Sequence, residues 1–220
     1  MIKHIFLVAF AILSTVASAN AQVIFDEATG VEGSGDPLAP TALGTLTAGA
    51  FTVSGSSVLG PAGSAAGTAT DTTRDLFGFT VASGFQLDSI DVTALTQTLN
   101  AAGNPDPGFF FLDAGTTSVI PGDGTSAALL AGQQFGIATT PIGTNLLDSV
   151  AIGNITDGPG TSAPLGPGDF VLGIQQTGTE TLSYSVEFNV SEVSTVPEPA
   201  SAALLSMSVL GLAGLRRRRR

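Results

Sequence analysis

The strongest pattern in this chain is strict alternation near its C-terminal third. Leu182, Tyr184, Val186, Phe188 and Val190 are apolar, and Ser183, Ser185, Glu187 and Asn189 between them are polar. Period two over nine residues predicts a half-buried antiparallel strand with the polar set facing water. Phe77, Phe79 and Val81 repeat the pattern, as do Phe170, Leu172 and Ile174; Ile90 with Val92 and Phe51 with Val53 make shorter cases. Phe109 to Leu112 is continuously apolar, and its brevity and flanking glycines predict a strand buried on both faces. Ser126 to Gly132 reads as a helical turn, and no long helix is expected within the domain.

Turn signals separate these runs: Pro107-Gly108, Pro121-Gly122-Asp123-Gly124, Asp157-Gly158-Pro159-Gly160 and Gly166-Pro167-Gly168-Asp169. Short strands at this spacing predict an all-β fold, an antiparallel β-sandwich of jelly-roll type. Composition agrees: of 220 residues 28 are Gly and 12 Pro, and only 11% are charged.

Charge changes the picture at the two ends. Of the 18 Asp and Glu, 17 lie between Gln22 and Val196, where Arg74 is the sole basic residue. So acidic a segment repels nucleic acid and anionic headgroups. The other cations are Lys3 and Arg216 to Arg220. Residues 1–21 read as a secretory signal peptide, with Lys3 and His4 before an apolar run over Ile5 to Val16. Small residues around Ala19 and Ala21 suit signal peptidase; cleavage is placed after Ala21, with Ala19 the alternative. The run is shorter than the ~20 residues needed to span a bilayer, which argues against an uncleaved anchor.

At the other end, Val196-Pro197-Glu198-Pro199 precedes an uncharged segment, Ala200 to Leu215, and then five arginines, Arg216, Arg217, Arg218, Arg219 and Arg220. As a transmembrane helix, residues 200–215 rise about 24 Å, short of a hydrocarbon core of about 30 Å. Thinning of the bilayer and snorkelling of the arginines make up the difference. The arginines belong on the cytoplasmic side, so the domain between the ends belongs outside the cytoplasmic membrane. Each proline removes an amide donor and holds its predecessor extended, presenting the tripeptide as a peptidase substrate must be presented.

Pro-Glu-Pro, a short apolar helix and a terminal arginine cluster together resemble the PEP-CTERM sorting signal of Gram-negative bacteria. The resemblance covers residues 196–220. It implies recognition by exosortase, a membrane-embedded cysteine peptidase-like enzyme, and processing near the motif, in bacteria that make exopolysaccharide and biofilm. An ordinary anchor followed by a stop-transfer cluster explains the helix and arginines but not Pro-Glu-Pro. The Sec translocon and signal peptidase are implied partners at the N-terminus. The product is an inner-membrane intermediate destined for the cell surface or extracellular matrix.

Residues 22–195 form the exported domain. Arg74-Asp75-Leu76-Phe77-Gly78-Phe79-Thr80-Val81, with Gly84, Leu87 and Ile90 after it, resembles the opening half of a bacterial pre-peptidase C-terminal domain. Phe111 to Gly115 is similar to that family's central strand and turn. Leu165 to Ile174 with Leu182 to Phe188 resembles its final hairpin. The resemblance implies a compact β-sandwich serving as an accessory or binding module, with no catalytic residues.

The chemistry available is narrow. The chain has no Cys, and its single His is His4, so the mature domain has no thiol and no imidazole for a nucleophilic triad or a zinc site. Carboxylate pairs suit glycoside hydrolysis, but Trp is absent and Tyr184 is the one Tyr, poor provision for stacking a sugar. The period places Tyr184 on the apolar face, in the core. The domain is read as non-enzymatic and without an obligate cofactor.

Calcium is the ligand that Asp- and Gly-rich loops best suit. Asp106 and Asp123 are the first candidates, and Asp157 and Asp169 follow; the alternative is that all four are solvated turn residues. Arg74 is expected to make a surface ion pair with Asp71 or Asp75, the other reading being a grip on an anionic sugar. The glycosylation-like triplets at Asn154 and Asn189 are read as chance. Two functions follow: a structural component associated with exopolysaccharide, or a calcium-dependent carbohydrate- or protein-binding module.

Overall fold

The computed structural model describes residues 21–58, 73–105, 108–118, 129–148, 162–176, 178 and 180–194. The segment read as a signal peptide, up to Asn20, the Pro-Glu-Pro motif, the uncharged segment 200–215 and the arginine cluster lie outside these residues. Among the described residues there are nine strands: β1 (Gln22–Asp26), β2 (Thr41–Leu46), β3 (Gly49–Val58), β4 (Arg74–Val81), β5 (Phe85–Gln97), β6 (Gly108–Ala114), β7 (Leu129–Phe135), β8 (Gly168–Gln176) and β9 (Thr181–Glu192). Among the described residues the other regular elements are two 3-10 turns, Glu27–Thr29 and Leu146–Asp148. No helix among them is long and apolar enough to cross a membrane.

The strands form two sheets, one ordered β1-β3-β9-β5 and the other β2-β4-β8-β6-β7. From β2 to β6, each strand joins the opposite sheet from its predecessor. That alternation makes the sheets mixed rather than purely antiparallel. β1 runs parallel to β3, and β2 parallel to β4, because the strand between them, in the other sheet, reverses the chain. A parallel pair needs a crossover connection, and here a strand supplies it. β8 and β9, the expected final hairpin, are consecutive but belong to different sheets.

One apolar cluster draws on both sheets. Val186 and Phe188 of β9 and Ile90 and Val92 of β5 meet Phe77 and Phe79 of β4 and Leu172 and Ile174 of β8, all buried. The rings of Phe79 and Phe188 touch edge to face, with centroids 5.0 Å apart, and Phe25 meets Phe77 at the same distance. Burying a phenylalanine of this kind contributes about 1.5–3 kcal/mol. The polar set of β9 lies on the other face of its sheet, where Ser185 Oγ accepts from Ser54 Oγ at 3.0 Å. Asn189 Nδ2 donates to Ser89 Oγ and Asp91 Oδ2 there, at 3.1 and 3.0 Å.

β6 is buried on both faces as its run of apolar residues predicts. Phe110 and Leu112 join the main cluster, and Phe111 packs with Leu76 and Val171 on the opposite face of its sheet. The helical turn expected at 126–132 is corrected: Leu129 to Gly132 open strand β7, with Ala131 opposite Leu112 and Gly132 opposite Phe111. The backbone of β6 needs a partner on that side, and ladder hydrogen bonds override the weak helical preference of Leu and Ala.

The β5 edge is covered by other chain segments. Leu87 and Leu165 exchange backbone hydrogen bonds of 2.8 and 2.9 Å, and Val92 does the same with Gly143 and Thr144 at 2.7 and 3.0 Å. Asn145 Oδ1 then accepts from Ile90 N and Leu147 N, at 3.1 and 3.0 Å, which seats Leu146 and Leu147 in the core. Such cover blocks edge-to-edge pairing with another chain.

Candidate functional site

The described residues contain one group of carboxylates close enough to act together: Glu27, Glu32 and Asp75, each with a carboxylate oxygen within 4.8 Å of the others'. The local sequence explains how they meet. Asp26, the last residue of β1, caps the 3-10 turn by accepting from Ala28 N at 3.0 Å. Gly30 ends the turn at φ 94°, a left-handed conformation that costs glycine little. The chain thereby doubles back, bringing Glu32 and Gly33 over the side chain of Glu27.

Glu27 is fixed from both sides. Its Oε1 accepts from Gly33 N at 3.1 Å, and its Oε2 accepts from Ser56 N at 2.6 Å and Ser56 Oγ at 3.2 Å. Asp75 comes from the opposite sheet. It lies on the same face of β4 as Phe77 and Phe79, at the end of the core, and is fully buried. Tyr184 crosses from β9 and donates its hydroxyl to Asp75 Oδ2 at 2.7 Å. The other oxygen, Asp75 Oδ1, has no hydrogen-bond partner among the described residues.

Two glycines make the room. A β-carbon at Gly33 would stand 2.6 Å from Asp75 Oδ1, and one at Gly55 would stand 2.6 Å from the Tyr184 hydroxyl oxygen and 3.1 Å from Glu27 Cδ. Gly55 lies directly opposite Tyr184 in the β3–β9 ladder, so the tyrosine ring passes over a position with no side chain.

The electrostatics are adverse. Two unit charges about 4 Å apart repel by about 4 kcal/mol at an effective dielectric constant of 20. Burial pushes the Asp75 carboxyl well above the usual carboxylate range, and the charge of Glu27 adds to it, against the hydrogen bond from Tyr184. The Tyr184 hydroxyl is also pushed well up, first by burial and then by Asp75. Glu32, at the exposed side, is raised by partial burial and then by Glu27.

The sign of the pH effect follows. Asp75 binds its proton more tightly folded than unfolded, so its contribution to stability is full below the ordinary value of 3.8 and is lost as pH rises through the raised folded value. In chelator, Asp75→Asn is therefore expected to gain stability relative to wild type as pH rises from 4 to 8. Asparagine keeps an acceptor for Tyr184 while removing the buried charge that faces Glu27 and Glu32. Urea melts of both proteins across this range check it, and a difference independent of pH refutes it.

The residues singled out in the sequence fare differently. Asp169 opens β8 and accepts from Thr80 Oγ1 at 2.7 Å, beside an open groove of about 250 Å³ lined by Pro40, Ala42, Gly78 and Phe170 among others. It is not part of any group of three metal-ligating side chains among the described residues. Asp106, Asp123 and Asp157, like Ala19, Val196 to Pro199 and Arg216 to Arg220, lie outside the described residues; Ala21 is the first described residue.

Arg74 is corrected in its placement: it is buried, 3% exposed, and not on the surface. It also occupies the face of β4 opposite to Asp75. Tyr184 is in the core as its period predicts. Sequence reasoning missed Glu27, Glu32 and the role of Asp75. The available signals were two glutamates set among glycines at 27–35 and a core tyrosine whose hydroxyl needs a partner. Compared with family models, curated proteins and solved structures, the chain matches none.

Proposed function

We propose that this chain is an exported surface or extracellular-matrix protein of a Gram-negative bacterium, sorted and processed by exosortase at its C-terminal tail. Its β-rich domain is a non-enzymatic structural component associated with exopolysaccharide or biofilm. One observation carries the sorting reading: Pro197-Glu198-Pro199, the uncharged segment 200–215 and Arg216 to Arg220 stand in that order. An uncharged segment followed by five guanidinium groups is the pattern that stops transfer across a membrane, and proline on either side of Glu198 disfavours regular hydrogen-bonded structure around the bond to be cut.

For the domain, the support is physical. A common apolar cluster fed by both sheets supports the reading of the domain as a β-sandwich, two sheets packed face to face. Glycoside hydrolysis needs two carboxyls facing each other across a substrate or a water. Here Asp75 is sealed in the core and Glu27 is held by two backbone amides, which leaves no space for a sugar ring between them. The strongly acidic composition of residues 22–195 suits a component of a hydrated matrix.

The expected product in cells with exosortase is a surface-released form whose C-terminus lies near Pro197 to Pro199. In cells lacking exosortase the tail through Arg220 stays attached. Intact-mass measurement of the two forms checks this. Identical C-termini in both strains, or an untouched tail in the first, refute the sorting reading.

A further inference from the structure

We infer that Glu27, Glu32 and Asp75 form a calcium site that ties the N-terminal turn of the domain to both sheets. The inference stands on the geometry of the domain and does not depend on how the chain is sorted. A cluster of acids alone proves nothing, since acidic surfaces are common. What distinguishes this one is Asp75, fully buried, with Oδ2 committed to Tyr184 and Oδ1 turned toward Gly33 without a partner. Gly33 also donates its N–H to Glu27 Oε1, so the orphaned oxygen and the Glu27 carboxylate converge on the same backbone.

A buried carboxylate oxygen must be satisfied by a donor, a proton or a cation. The described neighbours offer no donor to Oδ1, and the groups facing it are Glu27, Glu32 and Tyr184. A proton shared with Glu27 is the competing answer. It satisfies the contact between Asp75 and Glu27 but draws nothing from the exposed Glu32 beside them. A divalent ion satisfies all three together.

The donor set selects the ion. All donors are hard oxygens, and residues 22–195 contain no His or Cys to favour a softer metal. Calcium accepts six to eight oxygens in irregular geometry, whereas magnesium demands an octahedron and holds its waters. Three carboxylates from a 3-10 turn, a loop and a strand make an irregular site, and its exposed Glu32 side leaves room for water ligands. The backbone amides on Glu27 and the Tyr184 hydroxyl on Asp75 orient the ligands from behind.

The site carries its own reporter. Tyr184 is the only tyrosine in the chain, Trp is absent, and its hydroxyl touches a proposed ligand. Terbium(III), a calcium substitute, bound here is excited through that ring. The test uses the full-length chain in detergent, stripped with chelator. Terbium emission on tyrosine excitation should appear, calcium should displace it, and equimolar magnesium should not.

Calcium at about one hundred times its dissociation constant should raise Tm by about 5–10 °C. It should also slow hydrogen exchange at the amides of Gly33 and Ser56. Glu32→Gln, at the exposed position, should weaken calcium at least tenfold without disturbing the fold. Asp75→Asn should abolish the response. Tyr184→Phe should lose terbium emission but keep a calcium-dependent Tm. No sensitised emission and no calcium shift in wild type overturns the inference in favour of the shared proton. Equal protection by magnesium overturns the assignment to calcium.

Discussion

Phe188→Ala is expected to destabilise the domain by about 3–5 kcal/mol, the usual loss when a fully buried phenylalanine is truncated. Phe188 is on β9, an interior strand of its sheet, between Phe51 of β3 and Ile90 of β5. Its ring reaches Phe79 of the other sheet. Truncation removes a ring that both sheets touch, and the ladders on either side of β9 hold the backbone too firmly to collapse into the gap. Against a total of 5–15 kcal/mol for a domain of ordinary stability, this is a large fraction. Thermal melts should show a fall in Tm of about 6–20 °C. Leu38→Ala, at a side chain 78% exposed, should stay within about 0.5 kcal/mol of wild type. Equal effects of the two substitutions would show that the shared core is not where the stability lies.

The second large effect is expected at Gly173, where the demand is for empty space. Gly173 of β8 lies opposite Phe111 of β6, and the Phe111 ring lies so close over it that a β-carbon would overlap ring atoms. Phe111 is fully buried with Leu76 and Val171, so the ring has no free direction in which to swing. An aromatic laid across a strand glycine covers the backbone that the missing side chain would leave bare. Gly173→Ala is therefore expected to cost about 1–3 kcal/mol by overpacking, and Gly173→Val more. Phe111→Ala alone should cost about 3–5 kcal/mol. Because one space is disputed, the double variant Gly173→Ala/Phe111→Ala should be less destabilised than the sum of the two by about 0.5–3 kcal/mol. Simple additivity in urea melts counts against the packing described.

The same device recurs at Gly55 beneath Tyr184, and there it serves the carboxylate cluster. The ring crosses an empty position and delivers its hydroxyl to Asp75. If calcium occupies the cluster, the β1 end of the domain is locked only where calcium is plentiful, as outside a cell.

Much of the all-β architecture was legible because alternation is a local property. The apolar sets of β9, β4 and β8 have period two without interruption, and a residue's face on a strand follows from its parity. β5 was read only at Ile90 and Val92, although it runs for 13 residues. Register shifts between Leu87 and Ser89 and between Val92 and Ala94 insert an extra residue each time. Those bulges return Leu87 and Leu95 to the core but break the period that would reveal them. β1 and β2 were missed for another reason. They are edge strands with little burial, so their pairing is made by backbone atoms that every residue has.

What the amino-acid order decided by itself is the all-β character, the inward side of β4, β8 and β9, and the acidic segment between two apolar ends. Tertiary structure alone decided which strands share a sheet and that two of the pairings are parallel. It also decided that Glu27 and Glu32 stand beside Asp75, more than forty positions later. Periodicity reports only neighbours a few residues apart, whereas a cation site is assembled from oxygens that meet through the crossing of separate strands. No spacing rule along the chain encodes that meeting.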